Sequence, residues 1–148
     1  MNSKLSFALI CATALAFACG PRSKSSELLA HHSAAKNGGV HAALNVDVRD
    51  GVTFAMHVTN DGAKKVELAF NSGQTHDIVV LDSLGRETWR WSTGRLFTQA
   101  LQNKVLRTAD TLAIEERWRA TAPGRYTVIA TLASANFPLE QRTEFVVP

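Results

Sequence analysis

The sequence predicts an all-β domain, an antiparallel β-sandwich of about eight short strands. Two observations carry that expectation. From His41 to the C-terminus apolar and polar residues alternate with a period of two, the mark of strands with one buried and one wet face. Turn signals built from Gly, Asp, Asn and Pro interrupt the alternation at sandwich spacing, and no window of about twelve residues carries a helical stripe.

Taken in order, Leu44, Val46 and Val48 alternate with Asn45, Asp47 and Arg49. Asp50-Gly51 is a hairpin signal, because glycine accepts the positive φ of a primed turn. Val52, Phe54, Met56 and Val58 make the return strand; Asn60-Asp61-Gly62 turns the chain; Val66, Leu68 and Phe70 form the third inward face. Ser72-Gly73-Gln74 leads into Ile78-Val79-Val80-Leu81, an unbroken apolar run expected of a central strand. Asp82 to Gly85 turns into Arg86–Trp91, which puts Trp89 and Trp91 on one face. The irregular stretch Ser92 to Ala100 precedes a strand around Val105. Leu112, Ile114, Glu116 and Trp118 alternate next, with Glu116 expected near the wet end. Ala122-Pro123-Gly124 turns into Tyr126, Val128, Ala130 and Leu132, and Asn136-Phe137-Pro138 breaks the chain before a last strand reaching Val147. Gly124-Arg125-Tyr126 resembles the tyrosine corner of immunoglobulin-like sandwiches, where the phenol ties a turn to the next sheet. The expected fold is therefore immunoglobulin-like.

The chain of 148 residues holds one such domain, placed at residues 40–148. Ahead of it, Met1 to Lys4 and the apolar run Leu5 to Ala18 read as a signal peptide over residues 1–18. Leu15-Ala16-Phe17-Ala18-Cys19-Gly20 resembles a bacterial lipobox, which makes Cys19 the expected lipidation site. Residues 19–39 read as a polar, lipid-anchored tether. The expected location is thus exported and anchored to a bacterial membrane, on a periplasmic or outer-membrane face. Both cysteines, Cys11 and Cys19, precede the domain, so its core alone must hold it.

Composition excludes several function classes. Sixteen Lys+Arg against 13 Asp+Glu, scattered with no run of like charge beyond a pair, is no nucleic-acid footprint. Ser72, His76 and Asp77 lie close in sequence, but neighbouring strand residues His76 and Asp77 face opposite sides, so no catalytic triad is expected. His41, His57 and His76 fall on different expected strands, which argues against a metal site. No glycine-rich loop joins a strand to a helix, so no phosphate cradle or cofactor is expected either. The chain reads as a binding protein, not an enzyme.

Across about Val52 to Ser134 the motifs run in a recognisable order. They include Val66-Glu67-Leu68-Ala69-Phe70, Ser72-Gly73-Gln74, Asp77 to Val80 and Gly85. Trp89-Arg90-Trp91-Ser92, Phe97-Thr98-Gln99-Ala100-Leu101, Glu116-Arg117-Trp118 and Gly124-Arg125-Tyr126 follow. This pattern resembles the BsuPI-type intracellular proteinase inhibitor domain. Lys65 stands where that family tends to have proline, His76 where it tends to have an aromatic, and Ala109-Asp110-Thr111 replaces its Pro-Gly-Glu turn.

The resemblance implies a protein partner, a serine protease, inhibited through loops at one end of the sandwich. If consecutive strands alternate up and down, Asp50-Gly51, Ser72 to Gln74, Ser92 to Ala100 and Ala120 to Gly124 share that end. The expected binding residues are Ser72, Gly73, Gln74, Arg95, Leu96, Phe97, Thr98 and Gln99. Arg95, Leu96 and Phe97 supply the interface anchors, and Gln74 and Gln99 brace the loop by hydrogen bonds. The rival reading is a lipid-anchored envelope module that binds another protein or a polysaccharide, the latter stacking on an outward Trp89 or Trp91.

Overall fold

The computed structural model describes residues 36–148. The expected signal peptide, the lipidation site at Cys19 and most of the tether lie outside the described residues. Ten strands form among the described residues. They are β1 (Lys36–Asn37), β2 (Val40–Asp47), β3 (Val52–Asn60), β4 (Val66–Phe70) and β5 (His76–Leu81). β6 (Glu87–Arg90), β7 (Gln102–Leu106), β8 (Thr111–Trp118), β9 (Gly124–Leu132) and β10 (Leu139–Val147) complete them. They assemble as a β-sandwich: one sheet in the order β1-β2-β3-β8, a second in the order β10-β9-β5-β6, and a two-stranded ribbon β4-β7. All pairings are antiparallel.

The period-two pattern sets these strands. On β3, Val52, Phe54, Met56 and Val58 are buried and the residues between them are only half-buried. Val80 and Val128 answer from the opposite sheet, both wholly buried. β5 is central as expected, flanked by β9 and β6. Each large aliphatic side chain so buried contributes about 1.5–3 kcal/mol, the largest favourable contribution to the fold. Within the stretch read as tether, Lys36–Asn37 pairs with Val40 and His41 of β2. Gly38 and Gly39 take φ of 59° and 90°, as a two-residue primed hairpin demands.

An aromatic cluster closes one end. Trp118 meets Tyr126 edge-on at 5.1 Å, Tyr126 stacks on Phe145 at 5.8 Å, and Phe145 meets Phe54 edge-on at 5.7 Å. The Tyr126 hydroxyl donates to the Ala122 carbonyl at 2.8 Å, which realises the tyrosine corner. Trp89 stacks on Phe54 at 6.1 Å and packs against the core, and Trp91 is buried. Neither indole offers an outward sugar platform.

The loop arrangement differs from plain up-and-down alternation. The register places Val52 beside Trp118 and Thr59 beside Thr111, while His76 lies beside Leu132. Asp50-Gly51 and the Ala120–Gly124 turn therefore sit at the Tyr126 end, whereas Ser72–Gln74 and Ser92–Ala100 sit at the opposite end. The cause is β4. It has five residues, pairs only with β7 among the described residues, and does not traverse the sandwich. The Asn136 side chain holds it near the far end, accepting from Ala69 N at 2.9 Å and donating to Glu67 O at 2.8 Å. Asn60 fastens the same end. Wholly buried, it donates through Nδ2 to the carbonyls of Lys64 (2.9 Å), Leu106 (3.1 Å) and Arg107 (3.2 Å), and accepts from Gly62 N at 3.0 Å.

Candidate functional site

The segment from Trp91 to Leu101 leaves β6 through a turn over residues 91–94, with Gly94 at φ 75°, and then runs without strand or turn from Arg95 to Gln99. A chain of this length without regular structure must be tied down to present one shape. Here the ties come from below.

The first is Asp77, at the start of β5. One carboxylate oxygen accepts from Ser92 N at 3.2 Å and from Ile78 N at 2.9 Å; the other accepts from Ser92 Oγ at 3.0 Å and Arg90 Nη1 at 2.7 Å. Arg90 is bound through Glu87 and Asp77 and is held well above its usual pKa by those carboxylates. The loop's first residue is thereby fixed to the neighbouring strand.

The second tie is Trp91. His76 lies against its ring at a centroid distance of 4.0 Å, and Phe97 packs on it at 5.5 Å. The Arg95 guanidinium stands over the indole at 4.4 Å, and Arg95 Nε donates to the Trp91 carbonyl at 2.9 Å. A cation over an aromatic face at a partly exposed site contributes about 0.5–1 kcal/mol. Arg95 also approaches Glu116 Oε2 at 3.9 Å, and Glu116 Oε1 lies 3.3 Å from His76 Nε2. Glu116 is thus not at a wet strand end: it takes an inward position between buried Ile114 and Trp118, where its carboxylate lies against His76 Nε2 and faces the Arg95 guanidinium. Burial lowers the pKa of His76 from 6.5 despite the opposing pull of Glu116, so the ring is neutral at pH 7.

The third tie is Gly73, whose amide donates to the Thr98 carbonyl at 2.8 Å. The Ser72–Gln74 turn and the Phe97–Leu101 segment meet here through this bond. Ser72 Oγ accepts from Gln74 N at 3.1 Å and shapes the turn. Among the described residues the side chains of Gln74 and Gln99 make no hydrogen bond to the loop; Gly73, Asp77 and Trp91 brace it instead. Of the three expected anchors, Arg95 and Phe97 are folded back onto Trp91, and Leu96 between them is fully exposed, at 100 %. Leu101 follows at 79 %.

Sequence reasoning did not find Asp77 as the loop's fastener, although Asp77 and Ser92 both belong to motifs quoted above. His76, Asp77 and Ser72 serve separate partners, Glu116, Arg90 with Ser92, and Gln74 respectively, so they form no catalytic constellation.

Residues 40–137 match the family described as BsuPI: Intracellular proteinase inhibitor. No curated protein matches the chain. Among solved structures, a β-glucosidase from Erythrobacter marinus is similar at 12 % identity and a TM-score of 0.38, over 74 % of this chain and 16 % of that one. This chain thus spans about a sixth of that enzyme's length, and the likeness carries no argument about function. The family description is of an intracellular protein, which overturns the expected exported, lipid-anchored location. That expectation rested on a short local pattern, Leu5 to Cys19, whereas the family match extends over the folded domain.

Proposed function

This chain belongs to the BsuPI family of intracellular proteinase inhibitors, and we propose that it acts on a serine protease through the braced segment Ser92–Leu101. Proteinase inhibitors are non-catalytic, so the chain is not an enzyme, and a protease is its partner. The inhibitory unit is the sandwich of residues 40–148, with Ser72, Gly73, Gln74 and Arg95 to Gln99 forming the contact region.

The observation that supports this reading is the exposure of Leu96 between two residues pinned to Trp91. A protease cleft binds an extended segment and must otherwise meet the cost of ordering it. A loop already held in one shape avoids that loss and binds more tightly for the same contacts. The envelope-module reading lacks comparable support, since Trp91 is buried and Trp89 is half-buried against the core.

The test is titration of subtilisin-, trypsin- and papain-type proteases with the purified chain. Stoichiometric loss of subtilisin-type activity alone is the expected result. Full activity of every protease at micromolar chain would overturn the reading.

A further inference from the structure

We infer that Leu96 is the residue that enters the protease's primary specificity pocket, that Leu96–Phe97 is the reactive peptide bond, and that the target's pocket is therefore apolar. The inference rests on the inhibitory reading above and names the chemistry of its partner.

Three side chains in a row compete for that role, and their environments separate them. The Arg95 guanidinium is occupied: its Nε bonds the Trp91 carbonyl, its plane covers the Trp91 ring, and it faces Glu116. Removing it from this setting to fill an acidic pocket, as a trypsin-type cleft requires, would forfeit all three contacts. Phe97 is half-buried and packed on the same indole. Leu96 is fully exposed, so its transfer into an apolar pocket breaks no contact within the inhibitor and removes a full leucine surface from water. Leu96 projects away from Trp91 between two side chains that return to it, in a segment free of helix and turn that suits the extended form a protease cleft accepts.

The same pins determine what happens after attack. The protease's serine oxygen adds to the Leu96 carbonyl carbon, and its proton passes to the protease's histidine. As the Leu96–Phe97 C–N bond breaks, that proton moves to the departing Phe97 nitrogen. The products are an ester on Leu96 and a free amine on Phe97. In an ordinary substrate the amine diffuses away and water replaces it. Here the Phe97 ring is held on Trp91, and the next carbonyl, of Thr98, is held by the Gly73 amide. On the acyl side Arg95 is held on the same Trp91. Both new ends stay on one platform, so the amine remains beside the ester and re-adds to it, reversing the step. Proximity of this kind gives the returning amine a large advantage over water. The loop is cleaved and resealed faster than it is hydrolysed.

The experiment uses the full chain with a subtilisin-type and a trypsin-type protease, comparing the parent with Leu96→Ala, Leu96→Arg and Arg95→Ala. Leu96 is exposed, so its variants keep the fold, which far-UV circular dichroism and a urea transition verify. Leu96→Ala should weaken subtilisin-type inhibition about 10- to 100-fold. Leu96→Arg should transfer inhibition to the trypsin-type enzyme. Arg95→Ala should still inhibit initially but be consumed as a substrate, and mass spectrometry should locate its cut between Leu96 and Phe97. If the parent inhibits while Leu96→Arg keeps the parent's preference, or the cut maps elsewhere, the inference fails and the inhibitory reading stands. If the parent inhibits neither protease, both fail.

Discussion

The amide of Gly73 donates to the carbonyl of Thr98 at 2.8 Å, and a Cβ on Gly73 would stand 2.8 Å from Thr98 Oγ1 and 3.2 Å from Thr98 N. Two segments separated in sequence by β5 and β6 therefore touch backbone to backbone. The Thr98 hydroxyl can rotate away from an added methyl, but its main-chain nitrogen cannot. Gly73→Val should cost roughly 1–3 kcal/mol by overpacking. It should also displace the loop, so inhibition falls further than the urea midpoint implies. Equal stability and equal inhibition in the variant would show that the contact yields freely.

Asn60→Ala is expected to be among the most destabilising single changes. It strips partners from three carbonyls and one amide, of which the Leu106 carbonyl is buried and the others are partly so. Unsatisfied buried groups cost about 1–3 kcal/mol each, with partial relief by relaxation, so a loss of about 3 kcal/mol is expected by urea denaturation. A loss below about 1 kcal/mol would mean that the turns at 61–65 and 107–110 hold without it.

Ala109→Gly should stabilise the chain. Ala109 sits at φ 65°, left-handed backbone in which its Cβ is strained, while its amide donates to Asn60 O at 2.8 Å. Glycine removes the strain and keeps that bond, at the cost of a more flexible unfolded chain. The net gain should be about 0.5–1 kcal/mol, read as a raised urea midpoint.

His76 makes stability depend on pH in a definite direction. Its folded pKa lies below the ordinary 6.5 because burial disfavours the charged ring, more than Glu116 and Asp77 favour it; Arg95 adds to the lowering. Between the two values the unfolded chain binds a proton that the folded chain refuses. Stability is therefore full above pH 6.5, falls as pH drops through 6.5, and levels off below the folded pKa. His76→Phe should flatten this slope while keeping a ring against Trp91. An unchanged slope in the variant would assign the effect to another group.

Much of this was legible in the chain. The strands of the two sheets could be read because each has one buried face, and a register slip would expose Phe54 or Val128. Up-and-down alternation put Ser72–Gln74 and Ser92–Ala100 at one end, and wrongly added Asp50-Gly51 and Ala120–Gly124 to it. Which loops share an end was not legible. It depends on β4 stopping short, and that depends on β7 and Asn136, partners distant in sequence. Glu116 was misplaced for a related reason. Its alternation with Ile114 and Trp118 pointed inward, its charge pointed outward, and only the fold brings His76 and Arg95 within reach. Asn60 looked like any turn-starting asparagine, because a buried hub and an exposed turn use the same residue.

The exposure of Leu96 also bears on how such a protein changes over generations. Surface substitutions away from special features usually alter stability by about 0.5 kcal/mol or less. A residue that supports nothing beneath it can drift without threatening the fold, while Gly73, Asp77 and Trp91 cannot. Variation should then concentrate at one position, and partner choice should diversify in descendants whose scaffold stays constant. If Leu96 sets the target as inferred above, a new target can be adopted through a single codon.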